Sequence, residues 1–99
     1  MNGRAHVDPV YQIVVKGRVQ GVGFRFFTDG VAQRLGISGW VRNLPNGDVE
    51  ILARLPEDRK TRFLAEIRRG PPMSRVARLD VREAPAHMAC PDGVFEITH

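Results

Sequence analysis

The segment with the clearest capacity for chemistry is the glycine-rich run over residues 17–25, Gly-Arg-Val-Gln-Gly-Val-Gly-Phe-Arg. Glycine tolerates backbone dihedral angles that other residues avoid, so this run can curl and direct successive N–H groups at one anion. A helix that begins near Phe24 would add its free N–H groups and the positive end of its dipole. The candidate anion-binding amides are those of Val19, Gln20, Gly21, Val22, Gly23 and Phe24.

Arg25 falls in the first turn of that predicted helix and can close the cradle, because a guanidinium presents a charged planar fork to phosphate oxygens. The run does not match two common nucleotide-binding motifs. It has no Gly-Lys-Ser/Thr ending, and Phe26 stands where a dinucleotide fingerprint has its third glycine. Nucleotide binding is therefore disfavoured. Glycine loops before helices also occur as plain turns, so spacing alone leaves an anion site and a turn as alternatives.

The hydrophobic pattern predicts the elements that must position this loop. β-Branched and aromatic runs predict strands over residues 11–16, 39–44, 49–54, 76–81 and 94–98. Apolar residues at helical spacing predict helices over residues 24–35 and from Pro56 to the stop at Gly70-Pro71-Pro72. The pair Asn46-Gly47 predicts a tight hairpin between the second and third strands, because these residues accept positive φ angles.

This order of elements is typical of an α+β, ferredoxin-like split βαβ fold with a short terminal strand. The expected sheet is antiparallel, in the order 4-1-3-2, with both helices on one face. The C-terminal ends of strands one and two would then meet the same sheet edge, about 10 Å apart, which is two strand spacings. If Val41 faces the helices, Asn43 points to the same side by alternation. We therefore expect Asn43 beside the glycine loop.

Length and composition limit the class of protein. With 99 residues, 42% hydrophobic and 26% charged, the chain is predicted to form one domain over residues 1–99, with residues 1–8 as a loose N-terminal extension. No apolar run is long enough for a bilayer or a secretory signal, and the single Cys90 excludes an internal disulfide, so we expect a cytoplasmic protein without a membrane partner. The net charge of +4 invites anionic partners, and we expect Arg18 and Arg42 to be solvated charges that attract them.

Metal and thiol chemistry find little support. His87, Cys90, Asp92 and His99 lack the paired, regular spacing of zinc ligands. Cys90 has no basic neighbour in the sequence that would favour its thiolate. We therefore expect neither a metal site nor a catalytic cysteine.

Two longer motifs resemble the signatures of the acylphosphatase family. The first is Val15-x-Gly17-x-Val19-Gln20-Gly21-Val22-x-Phe24-Arg25, and the second is Gly39-Trp40-Val41-Arg42-Asn43-x-x-x-Gly47-x-Val49. The resemblance extends from about Tyr11 to Ile97. One departure is Leu55, where the family commonly has a glycine, and this departure raises the question of whether the local turn is kept.

The resemblance implies hydrolysis of carboxyl-phosphate mixed anhydrides (acyl phosphates) to carboxylate and inorganic phosphate, without a metal or a covalent intermediate. It implies that Arg25 and the loop amides hold the phosphoryl group and that Asn43 orients the attacking water. The chemistry of the residues agrees, because a carboxylate is a good leaving group that needs no general acid at neutral pH. We expect a monomeric enzyme that acts on a small acyl phosphate and uses no cofactor.

Two other function classes compete with this interpretation. RNA-recognition domains share the predicted topology, and Gly23-Phe24-Arg25-Phe26-Phe27 resembles their aromatic signature. Helical spacing, however, directs Phe24 and Phe27 inward instead of onto an open sheet face, so we expect no nucleic-acid partner. A non-catalytic acylphosphatase-like domain, of the kind appended to larger maturation enzymes, is the other alternative. The end of the chain at His99 favours a free-standing enzyme.

Overall fold

The computed structural model describes residues 8–99. The predicted N-terminal extension, except for Asp8, lies outside the described residues. The elements follow the predicted order: β1 (Val10–Arg18), α1 (Phe24–Leu35), β2 (Ser38–Asn43), β3 (Val49–Arg54), α2 (Glu57–Arg69), β4 (Arg75–Glu83) and β5 (Phe95–Ile97). Neither helix in this part of the chain is long and apolar enough to span a membrane.

The five strands form one sheet in the order β4-β1-β3-β2-β5, which confirms the predicted 4-1-3-2 arrangement. Neighbouring strands are antiparallel except β2 and β5, which run parallel. The terminal strand therefore lies at the edge of the sheet beside β2. This placement brings the last residues of the chain close to the end of β2, where Thr98 N donates a 2.8 Å hydrogen bond to the carbonyl oxygen of Val41.

Strands β1 and β4 are longer than their sequence pattern predicts. They pair with each other from Tyr11 opposite Glu83 to Arg18 opposite Arg75, with a register shift between Lys16 and Gly17. Apart from the half-buried Val10, the residues added to the predicted strands are exposed, namely Gly17, Arg18, Arg75, Arg82 and Glu83, so their composition carries no burial signal. Backbone pairing with the neighbouring strand, which depends on tertiary structure, extends them.

The hydrophobic core lies between the sheet and the two helices. Alternate strand residues point into it and are fully covered, as Ile13, Val15 and Val41 illustrate. Phe63 and Ile67 cover this face from α2. Burial of each such side chain contributes on the order of 1.5–3 kcal/mol relative to exposure, so the core fixes which way the remaining strand residues point.

Leu55, the departure from the family pattern, is a core residue in this structure. Its side chain is fully buried in the main cluster, and its backbone N–H donates a 3.0 Å hydrogen bond to the carbonyl oxygen of Pro9. Among residues 8–99, only glycines have positive φ. The turn after β3 therefore does not require a glycine here, and an apolar side chain at this position adds to the core.

Candidate active site

The glycine loop, Arg25 and Asn43 meet at one end of the sheet, as the strand order predicts. They border a cavity of about 160 Å³ where β1 and β2 end. The residues that line it are Val19, Gly21, Gly23, Phe24, Arg25, Phe26 and Asn43. A second cavity, of about 110 Å³, lies against Gln12, Val14 and Val81 and is lined by none of the predicted site residues.

The loop owes its curvature to two glycines. Gly21 and Gly23 have φ angles of 75° and 79°, in the left-handed region that L side chains rarely adopt. A Cβ at either position would meet no atom within 4 Å, so backbone conformation, not space, requires glycine here. Gly23 is also the N-cap of α1 and offers no side-chain hydrogen bond to the helix. The first amides of α1 thus remain unsatisfied by a capping side chain, as an anion-binding helix start needs.

Arg25 is held by the end of the chain. Its Nη1 atom lies 3.2 Å from the carbonyl oxygen of Thr98 and 3.1 Å from Nδ1 of His99. Within residues 8–99 the other guanidinium nitrogens make no hydrogen bond, so donors remain for an oxyanion. The sequence predicts a phosphate-binding role for Arg25 but not these contacts. They depend on β5 pairing beside β2, which periodicity alone does not reveal.

Asn43 is the last residue of β2 and lies opposite Val49 in the hairpin. Because Val41 is fully buried against the helices, Asn43 lies on the same side of the sheet, as expected. Its half-buried side chain has no hydrogen-bond partner among residues 8–99. A carboxamide offers both a donor and an acceptor, and can therefore hold a water molecule in a defined orientation.

The side chain of Gln20 has a role that the sequence did not reveal. Its Nε2 atom donates hydrogen bonds of 2.7 Å and 2.8 Å to the carbonyl oxygens of Leu44 and Asp48. These two residues close the hairpin turn, since Leu44 N donates a 2.8 Å hydrogen bond to the Asp48 carbonyl oxygen. Gln20 thus fastens the glycine loop to the turn that follows Asn43. Neither Gln20 nor Val22 lines the cavity itself.

Arg42 is paired, in contrast to the expectation of a solvated charge. Its Nε atom lies 2.7 Å from Oε1 of Glu50, and its guanidinium carbon lies 4.9 Å from the centroid of the Trp40 ring. Glu50 is only 4% exposed and also accepts a 2.6 Å hydrogen bond from Gln12. By strand alternation Arg42 is on the opposite side of β2 from Asn43. Its charge stabilises a buried carboxylate.

Cys90 lies at the opposite end of β2 from this site. Cys90 packs at the start of β2, where its Sγ atom is 3.8 Å from the carbonyl oxygen of Ser38, while Asn43 ends the same strand. Desolvation by burial raises the pKa of the Cys90 thiol, which disfavours the reactive thiolate. Among the residues that the structure describes, no cluster of three or more His, Cys, Asp or Glu side chains is arranged to hold a metal ion.

Two of the three phenylalanines in residues 23–27, Phe24 and Phe27, pack inward from α1. Phe24 is 2% exposed and packs edge-to-face against Phe27 in α1, with ring centroids 5.8 Å apart. Bases stack on aromatic side chains of an open sheet face in RNA-recognition domains. These two rings belong to the core beneath α1 and offer no such surface.

Comparison with known proteins agrees with the motifs and with the geometry. The acylphosphatase family model matches residues 11–97. The chain is 46% identical over 90 residues to an acylphosphatase of Rhizorhabdus wittichii, covering 90% of this chain and 91% of that protein. The crystal structure of the Bacillus subtilis acylphosphatase superposes with a TM-score of 0.80 and 39% identity, covering 91% of this chain and 98% of that one.

A longer protein also contains this fold. HypF from T. kodakarensis matches with a TM-score of 0.76 and 30% identity over 90% of this chain but only 12% of that chain. In contrast, the R. wittichii and B. subtilis acylphosphatases are matched over nearly their whole length. On the family model, the two signature motifs and the shared fold, this chain belongs to the acylphosphatase family.

Proposed function

We propose that the cavity formed by the glycine loop, Arg25 and Asn43 is the active site at which this acylphosphatase hydrolyses acyl phosphates. The observation that carries the proposal is the convergence on one cavity of a guanidinium, a free carboxamide and a glycine-capped helix start. The main-chain amides of Val19, Gln20, Gly21, Val22, Gly23 and Phe24 are the proposed donors to the phosphoryl oxygens. Together with Arg25 they would stabilise charge in a dissociative phosphoryl-transfer transition state.

Asn43 is proposed to orient the attacking water. The water oxygen attacks phosphorus, the bond between phosphorus and the acyl oxygen breaks, and the carboxylate leaves with the electron pair. The proton of the attacking water passes to solvent, because an amide is not a base. Positioning alone is a substantial contribution when the geometry is correct, since it replaces a bimolecular encounter by a held reactant.

The lining of the cavity supports an acyl phosphate over an alkyl phosphate. Among residues 8–99, the lining contains no carboxyl, imidazole, thiol or ammonium group, and Arg25 is the one ionisable residue there. A carboxylate leaves without protonation at neutral pH, whereas an alkoxide requires a general acid. We therefore propose a reaction that needs neither metal nor other cofactor.

The proposed biological setting is correspondingly simple. We infer that residues 1–99 act as one acylphosphatase-like domain, because the described residues share one sheet and one main core. We infer a reducing compartment such as the cytoplasm from the unpaired Cys90. A monomer that binds a small substrate, with no nucleic-acid or membrane partner, is the proposed state. Analytical ultracentrifugation tests the monomeric state, and a titration with single-stranded RNA at moderate salt tests the absence of RNA binding.

Hydrolysis of benzoyl phosphate in the presence of a chelator tests the activity. We expect turnover to persist in chelator, while glycerol phosphate, an alkyl ester, is not hydrolysed. Turnover that appears only after addition of a divalent metal would contradict the proposal. When the reaction is run in ¹⁸O-labelled water, the label should enter inorganic phosphate. Label in benzoate would indicate attack at the carbonyl carbon and would exclude the water-positioning role of Asn43 at phosphorus.

A further inference from the structure

Phe26 is the most exposed large hydrophobic residue among residues 8–99, with 73% of its surface accessible. It follows Arg25 in the first turn of α1 and lines the active-site cavity. The rings of Phe24 and Phe27 both pack inward from the same helix. Successive helix residues are about 100° apart. Phe26 therefore faces away from the core, at the rim of the site.

A single exposed apolar side chain is ordinary on a protein surface. Phe26 differs from the other exposed large hydrophobic residues of the described chain, Met73, Val81 and Val94, because none of these lines the active-site cavity. The other apolar side chains of the cavity are closed to solvent, since Val19 is 1% and Phe24 is 2% exposed. Among the described residues that line this cavity, Phe26 is thus the one large apolar side chain that is open to a ligand.

An acyl phosphate has two chemically different halves. The glycine loop and Arg25 offer donors to the charged phosphoryl half, so the acyl half must project from the cradle toward the rim. We propose that Phe26 is a specificity-determining residue that packs against the acyl group, an inference that rests on the proposed function. It favours aromatic or branched apolar acyl phosphates over the small acetyl phosphate, because contact with the ring removes apolar surface of both partners from water.

The test compares kcat/KM for benzoyl phosphate with kcat/KM for acetyl phosphate. Phe26→Ala should lower the benzoyl-to-acetyl ratio by about two- to tenfold, the range of a lost aromatic contact. Phe26→Leu, which keeps an apolar side chain, should retain a larger part of the ratio. Met73→Ala is the matched control, because Met73 is 69% exposed but does not line the cavity, and it should leave the ratio unchanged.

Competitive inhibition by inorganic phosphate separates specificity from damage to the cradle. Inorganic phosphate has no acyl group. Phe26→Ala should therefore leave the inhibition constant of phosphate nearly unchanged while it lowers hydrolysis of benzoyl phosphate. An unchanged benzoyl-to-acetyl ratio in Phe26→Ala, or an equal fall in Met73→Ala, would overturn this inference alone. If the wild-type protein hydrolysed neither substrate, the proposed function would fail and this inference with it.

Discussion

The side-chain amide of Gln20 lies 2.7 Å from the carbonyl oxygen of Leu44, the residue that immediately follows Asn43. A second hydrogen bond from the same nitrogen reaches the carbonyl oxygen of Asp48, across the turn. The loop proposed to hold phosphate is thereby tied to the strand end that carries the proposed water-binding amide. One glutamine side chain thus links these two components through backbone carbonyl groups, and Gln20 does not line the cavity.

Gln20→Met keeps the approximate length of the side chain and removes both hydrogen bonds. We expect a stability loss of about 1–3 kcal/mol, from two hydrogen bonds of ordinary net strength. We also expect a fall in kcat larger than the change in KM, because the loop and Asn43 lose their common anchor. Urea unfolding and steady-state kinetics measure the two effects. Gln33→Met, on the exposed face of α1, is the control, and an equal kinetic effect there would refute the anchoring role.

Arg25→Ala should lower kcat/KM by about 10²-fold or more and weaken inhibition by inorganic phosphate, since a charged donor to the phosphoryl oxygens is lost. Arg25→Lys should recover only part of the activity, because an ammonium is a point charge without the planar fork. Arg68→Ala, exposed on α2, controls for the loss of one positive charge. Activity of Arg25→Ala within a fewfold of the wild type would exclude the phosphate-binding role.

Asn43→Ala should lower kcat by about 10²-fold with a much smaller change in KM, because positioning of the water contributes in the transition state more than in substrate binding. Asn46→Ala is the matched control: Asn46 lies in the same hairpin, its side chain hydrogen-bonds only to Asp48 among residues 8–99, and it does not line the cavity. Its kcat should stay near the wild-type value. If Asn43→Ala lowered kcat and raised KM by the same factor, this result would argue against the assigned role.

Gly23→Ala and Gly30→Ala form a pair that separates backbone conformation from side-chain volume. Neither added Cβ meets an atom within 4 Å, but only Gly23 has a positive φ. Gly23→Ala should destabilise the protein by about 1–2 kcal/mol and reduce activity, since the loop must leave its left-handed conformation or bear the strain. Gly30→Ala, inside α1, should stabilise it by about 0.5–1 kcal/mol. Thermal unfolding that ranks the two variants in the opposite order would contradict this explanation.

The ion pair between Arg34 and Glu66 joins α1 to α2 through contacts of 2.9 Å and 3.0 Å. Hydrogen bonds, first from Arg34 and then from Arg62, together with the charges of Arg34 and Arg69, lower the pKa of Glu66 from 4.5 to about 2. Because the folded-state pKa is lowered, the stabilisation is complete above about pH 4.5 and is lost as the pH falls toward 2.

Glu66→Gln should therefore be less stable than the wild type at pH 7, and this difference should shrink steadily as the pH is lowered from about 4.5 toward 2. Urea unfolding at several pH values measures the difference. Glu96→Gln, at an exposed position of β5, provides the matched loss of a carboxylate outside this ion pair. A pH-independent gap between Glu66→Gln and the wild type would show that the carboxylate does not contribute through ionisation.

Much of the fold could be predicted from local signals. The glycine at position 36 ends α1, and the strand order follows from the sequence of elements. The turn between β2 and β3 contains Asn46 and Gly47 as predicted, but only Gly47 has a positive φ. The placement of Arg25 and Asn43 on one cavity could be expected for the same reason, since the ends of β1 and β2 must meet at one edge. The lengths of β1 and β4 could not be predicted, because most of the added residues are exposed and are placed in the strands by pairing between β1 and β4.

By itself the sequence determined the residue types of the site, the family and the conformational demand of the glycine loop, since each depends on residues close together in the chain. Only the tertiary structure decided that Gln20 anchors the hairpin, that Thr98 and His99 hold Arg25, and that Arg42 pairs with Glu50. Apart from the last pair, which hydrogen-bonds across one hairpin, these contacts join residues more than twenty positions apart. No local pattern specifies them, because they form only when the packed core fixes the strand order and the face to which each side chain points.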